Sequence, residues 1–119
     1  MIHTKYQTKV QGVVEDIADG AEHIHADMTA VTGIKYFLST ISVTNMHATQ
    51  ATRVNFRDGA GGTIIWAVPA AALGGGAMVS FTEDSPLEFS SGSAIVVECE
   101  TAGALVTVAM RGYKRAQED

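Results

Sequence analysis

Apolar and polar residues alternate along much of the chain after residue 33. Within residues 36–45, Phe37, Ile41 and Val43 fall on one side of an extended chain, and hydroxyl-bearing residues fall on the other. Residues 51–57 alternate strictly, with apolar side chains on one side and Arg53, Asn55 and Arg57 on the other. A period of two residues is typical of a β-strand with one buried face, so both segments are predicted to be strands.

Turn signals divide the rest of the chain into similar short segments. Glycine, proline and small polar residues cluster at residues 58–62, 74–76, 83–86 and 91–93. The intervening segments predict five more strands, at residues 63–68, 77–81, 87–90, 94–100 and 105–113. Residues 6–14 are a candidate for an eighth strand. Pro69 is expected to end its strand, because proline donates no ladder hydrogen bond. Short strands at this spacing, with no helical pattern between them, predict an all-β antiparallel β-sandwich of jelly-roll type.

Charge is distributed unevenly along the chain. Residues 1–32 carry seven charged side chains, whereas the much longer segment 33–113 carries ten. The difference predicts a polar N-terminal arm at residues 1–32, a sandwich domain at residues 33–115 and a charged tail at residues 116–119. Residues 15–30 fit either a short helix or an extended arm. The arm is expected to contact a neighbouring subunit or another partner.

One predicted strand is apolar on both faces. Ile64, Ile65 and Trp66 follow one another, whereas a strand of a monomeric sandwich normally has one solvated face. These residues and Leu73 are therefore candidates for core or interface contacts. The arginines offer a second type of contact: Arg53, Arg57 and Arg111 form either a solvated basic patch or salt bridges between subunits.

Composition excludes several classes of function. The 119-residue chain is 46% hydrophobic and 18% charged, with a net charge of −5, which argues against binding to nucleic acids or anionic membranes. Its one cysteine, Cys99, cannot form an intrachain disulfide or a cysteine-based zinc site. No signal-peptide pattern is visible at the start, and the longest apolar run, residues 64–73, is about half a membrane span. We therefore expect synthesis in the cytoplasm.

No set of residues predicts a catalytic centre. Glu98 and Glu100 share one face of a predicted strand, where both are expected to be solvated, and Cys99 is expected to be a buried, inert thiol. His23 and His25 could contribute to a zinc or nickel site on a symmetry axis, but two ligands do not complete one, and surface histidines are the alternative. We predict that the protein is not an enzyme and has no cofactor.

The body of the chain resembles a group of phage proteins. The resemblance lies in the strings YFLSTISVTN at 36–45, TRVNFRDG at 52–59 and TIIW at 63–66, followed by Pro69, the glycines at 74–76 and the closing VAMRGY at 108–113. This pattern is similar to small accessory virion proteins, of the decoration or cement type, from tailed bacteriophages. It covers about residues 33–115.

The resemblance implies a function as well as a fold. It implies a β-sandwich that forms a homo-oligomer, most simply a trimer, and that binds the major capsid protein or other virion proteins to stabilise the assembled head. The expected location is the virion, after synthesis in the bacterial host cytoplasm. Two alternatives remain: a tail, baseplate or fibre-associated component, and a carbohydrate-binding module that uses Trp66, Tyr36 or Tyr113.

Overall fold

A computed structural model describes residues 7–116 of the chain. It contains nine β-strands and one short 3-10 turn, Ala26–Met28. The strands are β1 (Gln7–Ile17), β2 (Glu22–His23), β3 (Ile34–Asn45), β4 (Thr52–Asp58), β5 (Ile64–Ala70), β6 (Gly75–Ser80), β7 (Leu87–Glu88), β8 (Ile95–Cys99) and β9 (Val106–Ala116). Within the described residues, no helix is long and apolar enough to cross a bilayer.

The strands form two antiparallel sheets. Sheet A has the order β1-β9-β3-β6, and the short strand β7 also pairs with β3, on the same side as β6. Sheet B has the order β2-β8-β4-β5. When the two-residue strand β7 is left aside, eight strands are divided four to a sheet, which is the distribution found in a jelly roll. The predicted all-β antiparallel sandwich is confirmed.

The core lies between the two sheets, where the inward residues of every long strand meet. Strand β4 contributes Val54 and Phe56, and β8 contributes Ile95 and Val97, all fully buried. From sheet A, the alternate residues Val106, Val108 and Met110 of β9 complete the layer. The apolar residues that recur at every second position of these strands are therefore the residues that pack in the core.

A β-bulge reverses the alternation within β3. The register with β9 shifts between Leu38 and Thr40, so Ser39 is the extra residue. Phe37 therefore lies on the outer face of sheet A, where its ring stacks on Tyr113 with centroids 4.8 Å apart. The prediction that Phe37 shares a face with Ile41 is wrong, because a bulge moves every side chain on one side of it to the opposite face.

Residues 7–32 belong to the sandwich and do not form a separate arm. Residues 7–17 pair along β9 as β1, and Val10 and Ile17 are buried in the core. The 3-10 turn places Met28, which is fully buried, against the same core. The segment is polar because β1 is an edge strand with one solvated face. The charge count alone could not distinguish such an edge strand from a separate arm. Residues 1–6, and residues 117–119 of the predicted tail, lie outside the described residues.

Pro69 does not end its strand. Strand β5 continues to Ala70, and Pro69 pairs with Arg53 of β4. This is possible because β5 is the edge of sheet B, where a proline can face away from its only partner strand.

Two methionines provide a test of this packing. Met28 is fully buried, whereas Met78 on β6 is 74% exposed. We expect Met28→Ala to lower the free energy of unfolding by about 2–4 kcal/mol, because it removes buried methylene groups and leaves a cavity. Met78→Ala is the matched control and should change it by less than about 0.5 kcal/mol. Urea denaturation measures both values, and equal effects would contradict the assignment of residues 26–28 to the core.

Candidate interaction surfaces

A buried asparagine organises one end of the sandwich. Asn45, the last residue of β3, is completely buried. Its Nδ2 donates to the backbone oxygens of Gln50 at 2.8 Å and Ala70 at 3.2 Å. Its Oδ1 accepts from the backbone nitrogens of His47 at 3.1 Å and Leu105 at 3.3 Å. One side chain thus holds together the β3–β4 loop, the end of β5 and the start of β9.

The same end of the sandwich exposes two large apolar side chains, Met46 and Leu73. Met46 is 61% exposed and Leu73 is 79% exposed, and we call this pair the apolar tip. The backbone nitrogen of Leu73 donates to the oxygen of His47 at 2.8 Å, which brings the β5–β6 loop against the β3–β4 loop. Leu73 has a φ of +60°, a conformation that costs an L-residue roughly 1–2 kcal/mol. The turn therefore holds an exposed leucine in a strained backbone.

The outer face of sheet B carries a partly buried ionic cluster. The Nη2 and Nε atoms of Arg57 each lie 2.7 Å from Glu98 Oε1, and Nη1 donates to the oxygen of Gly62 at 2.8 Å. Glu22 of β2 approaches Arg57 at 3.7 Å. The expectation that Glu98 is solvated is wrong, since its side chain is only 14% exposed. The guanidinium of Arg57 offsets the cost of burying that carboxylate.

Arg53 makes a more exposed pair on the same face. Its Nη2 lies 2.7 Å from Glu100 Oε2, with both side chains about half exposed. Arg111 is on β9 in sheet A, so the three arginines do not form one basic patch. Arg53 and Arg57 each form an ion pair within the chain. Both ion pairs are therefore structural contacts of sheet B.

The remaining apolar candidates lie at the opposite end of β5 from Leu73. Ile64 begins β5 and is 36% exposed, whereas Ile65 packs against the core. Trp66 is 37% exposed, and its ring meets Phe81 edge to face with centroids 4.9 Å apart. Ile64 and Trp66 form a rim of the sandwich, and the structure does not bring them together with Leu73.

The two histidines have separate local roles. His23 Nε2 lies 2.8 Å from Asp19 Oδ1, and this hydrogen bond lowers the pKa of the Asp19 carboxyl. His25 accepts the backbone N–H of Asp27 at 3.1 Å and so caps the 3-10 turn. Within residues 7–116, no group of three or more His, Cys, Asp or Glu side chains is close enough to hold a metal ion.

Cys99 lies in the core with 1% of its surface exposed. Burial, together with the nearby Asp19 and Glu98 carboxylates, raises the pKa of its thiol to about 11. At neutral pH the group is therefore a thiol, and it packs as a small apolar side chain.

The three aromatic candidates for sugar binding lie in different parts of the sandwich. Tyr36 is 1% exposed and donates its hydroxyl to the Thr29 oxygen at 2.7 Å. Tyr113 stacks on Phe37 on the outer face of the sheet, and Trp66 lies on β5 of the other sheet. The three rings do not form a common platform for a sugar.

A shallow groove of about 620 Å³ crosses the outer face of sheet A. Short side chains, among them Ser42 and Ala109, form its floor. Met78 and Val13 stand at its two sides and are 74% and 46% exposed. The groove adds a second apolar surface to the molecule, distinct from the apolar tip.

Comparisons with known proteins bear on the fold alone. No protein-family model and no curated protein matches the sequence. A solved structure described as "Bacillus endospore appendages form a novel family of disulfide-linked pili" is similar over 94% of this chain and 89% of its own chain. The TM-score is 0.54 and the identity is 15%, so the likeness supports the sandwich fold.

The sequence identified Leu73 as a candidate contact residue, but it did not identify Met46, Met78 or Asn45. Met46 and Met78 lie beside turn signals, where an isolated methionine is unremarkable. Asn45 had a detectable signal, because it continues the inward alternation of Ile41 and Val43 with a polar side chain. A polar residue at a core position requires hydrogen-bond partners, and here those partners are the loops.

A comparison of two buried asparagines tests the role of Asn45. We expect Asn45→Ala to lower the free energy of unfolding by about 3 kcal/mol, because it leaves several buried backbone groups without partners. Asn55 is 1% exposed, but its Nδ2 contacts are long, at 3.4 Å, and its Oδ1 has no partner among the described residues. Asn55→Ala should therefore cost about 1 kcal/mol or less. Denaturant titration measures the free energy of unfolding of both variants. Equal losses, or a larger loss for Asn55→Ala, would contradict the prediction.

The two arginines of sheet B provide a second matched pair. Arg57→Ala should lower the free energy of unfolding by about 2–3 kcal/mol, because the carboxylate of Glu98 then stays largely buried without its partner. Arg53→Ala should cost less than about 1 kcal/mol, because its pair with Glu100 is exposed to water. The measurement is thermal or urea unfolding at neutral pH. A larger loss for Arg53→Ala would show that burial does not govern these pairs.

Proposed function

We propose that the protein is a structural subunit that associates with its own kind and binds a larger protein assembly through the apolar tip. The observation that carries this proposal is Leu73, which is 79% exposed at a φ of +60°. Glycine would occupy that backbone conformation without strain and would expose no apolar surface. A strained, exposed leucine at the end of a rigid turn is well suited to fill a pocket on a partner.

The apolar tip can contribute useful binding energy only when it is repeated. Burying one leucine or methionine side chain stabilises a contact by roughly 1.5–3 kcal/mol. That is too little for stable binding by one copy, since association itself has a large entropic cost. Several tips presented together by an oligomer, such as the predicted trimer, would add their contributions. Self-association and binding through the tip therefore support each other.

The sequence resemblance supports a particular assembly, the head of a tailed bacteriophage. In this role the protein is a decoration or cement protein of the virion, and its partner is the major capsid protein. A protein that binds the assembled lattice and not the free subunits stabilises the lattice by mass action. The alternative location in the tail or baseplate differs in copy number. A head component would be present in hundreds of copies per particle, whereas a tail component would be present in a few to dozens.

The structural similarity favours a second candidate, a subunit of a filament. The similar solved structure is described as a disulfide-linked pilus, and it is matched over nearly its whole length. Cys99 is the single cysteine of this chain and is 1% exposed, so a filament of this protein would have no disulfide links between its folded subunits. Electron microscopy of the purified protein separates the candidates, because a filament subunit forms fibres without added particles.

Substitution of Leu73 tests the proposed function separately from folding. Leu73→Gly removes the exposed side chain and relieves the backbone strain, so the free energy of unfolding should stay the same or rise by up to about 1 kcal/mol. Binding to purified phage heads that lack the protein should weaken about tenfold or more. Cosedimentation measures the binding, and quantitative mass spectrometry of the pellets gives the copy number.

A control substitution and two outcomes complete this test. Val31 is 47% exposed near the start of β3, at the other end of the sandwich from the apolar tip, and Val31→Gly should leave binding unchanged. Normal binding by Leu73→Gly would contradict the role of the apolar tip. Absence of binding by the native protein, together with fibres of the protein alone, would favour the filament.

A further inference from the structure

Strand β1 is an open sheet edge of eleven residues. It lies at the end of sheet A and pairs only with β9. Among the described residues, no backbone hydrogen bond joins the other side of β1 to a loop or a further strand. The unpaired N–H and C=O groups of such an edge can pair with another strand. A protein that exposes an edge of this length either protects it or uses it.

The usual protection is weak along β1. In sheet B, the β5 edge is protected by Pro69 and the β2 edge is only two residues long. The other edge of sheet A, β6, is only six residues long. Strand β1 contains no proline, and its one register shift lies at its end, between Val14 and Ile17. The segment after β2 packs against the inward side of β1, where a Cβ on Gly12 would lie 2.7 Å from the His25 ring. Among the described residues, no backbone hydrogen bond joins that segment to β1.

Strand β1 carries three charged side chains, Lys9, Glu15 and Asp16, and the first two lie symmetrically about its centre. The strand runs from residue 7 to residue 17, and Gly12 is its middle residue. Lys9 lies three residues before Gly12 and Glu15 three residues after it, and both are exposed. Neither side chain makes an ion pair with another described residue. The strand is therefore complementary in charge to a second, reversed copy of itself.

The geometry points to β1 as a two-fold contact in which it pairs antiparallel with β1 of a second copy, centred on Gly12. In this register residues 9–15 of the two copies lie opposite each other, and Lys9 of each copy faces Glu15 of the other. The register shift between Val14 and Ile17 ends the regular pairing on either side. Val13, which is 46% exposed, faces Gln11 of the other copy on the same outer face. Directly opposed residues of opposite charge stabilise a strand pair, and like charges destabilise it. The contact is isologous, since the same surface serves both copies.

Neighbouring registers are less favourable. A shift of the pairing by one residue would place the outward side chains of one copy opposite the inward side chains of the other. A shift by two residues would put Lys9 opposite Val13 in one direction and opposite the buried Ile17 in the other, and both shifts would lose the two ion pairs. Charge pairing therefore selects the register centred on Gly12. Sheet A then continues through both molecules, and the two outer grooves lie on one surface.

This contact deepens the self-association proposed above and rests on it. It is compatible with the predicted trimer, because a two-fold contact at β1 can link two trimers as well as two single chains. The test uses the full chain and the variants Lys9→Glu and Glu15→Lys. Each single variant places like charges opposite each other at two positions of the contact. The double variant, and an equal mixture of the two single variants, restore opposite charges at both positions.

Light scattering at matched concentrations measures the mass of each sample. We expect the native protein and the double variant to have the same mass, and each single variant to have half of it, with a dissociation constant raised about tenfold or more. The equal mixture of single variants should regain the native mass. Asp84→Lys, an exposed loop substitution with the same charge change as Glu15→Lys, should leave the mass unchanged. Circular dichroism confirms that each variant is folded.

The possible failures are distinguishable. If the native protein is associated and the single variants keep its mass, the β1 contact is wrong and the proposed self-association stands. If the single variants dissociate and their mixture does not recover, the effect comes from net charge, and the register is wrong. A native protein that is a 12.5 kDa monomer at all concentrations would overturn both the contact and the self-association.

Discussion

The hydrogen bonds of Asn45 are the constraint on which one end of this sandwich depends. A fully buried amide must have partners, and this one obtains them from the β3–β4 loop, the end of β5 and the start of β9. Because these segments belong to different sheets, the amide also fixes how the sheets meet at this end. The turn that carries Leu73 is built onto this frame through the backbone oxygens of Asn45 and His47.

The two sheets use their outer faces differently. Sheet B covers its outer face with ion pairs formed within the chain, so that its arginines and glutamates are already satisfied. Sheet A has a groove floored by small side chains and an edge strand whose charges lack partners among the described residues. Together with the apolar tip, these features leave surfaces free for contacts between molecules. This distribution supports the proposal that the protein is a subunit of an assembly.

Most of the fold could be predicted from the sequence because strand alternation and turn residues act locally. The strands around Ile41, Val54, Val97 and Val108 follow from a period of two residues and from the glycine-rich turns that separate them. The same reasoning failed at Phe37. In residues 7–32 it did indicate the strand at residues 6–14, but the charge count wrongly assigned that strand to a separate arm. A bulge at Ser39 depends on the register with β9, and the place of a polar edge strand depends on which strand accepts it. Neither is encoded in local composition.

The sequence by itself determined the all-β class and the antiparallel pairing, because these depend on hydrophobic periodicity and turn chemistry along one stretch of chain. It left Leu73 open between core and interface, and the tertiary structure decided that this side chain is exposed. Only the tertiary structure decided that Arg57 and Glu98 form a partly buried pair and that His23 and His25 serve separate turns. It also decided that Asn45 joins the β3–β4 loop to the end of β5 and the start of β9. These contacts connect residues brought together by sheet order and register. The partners of a buried polar group are set by that long-range geometry, which no single segment of the chain contains.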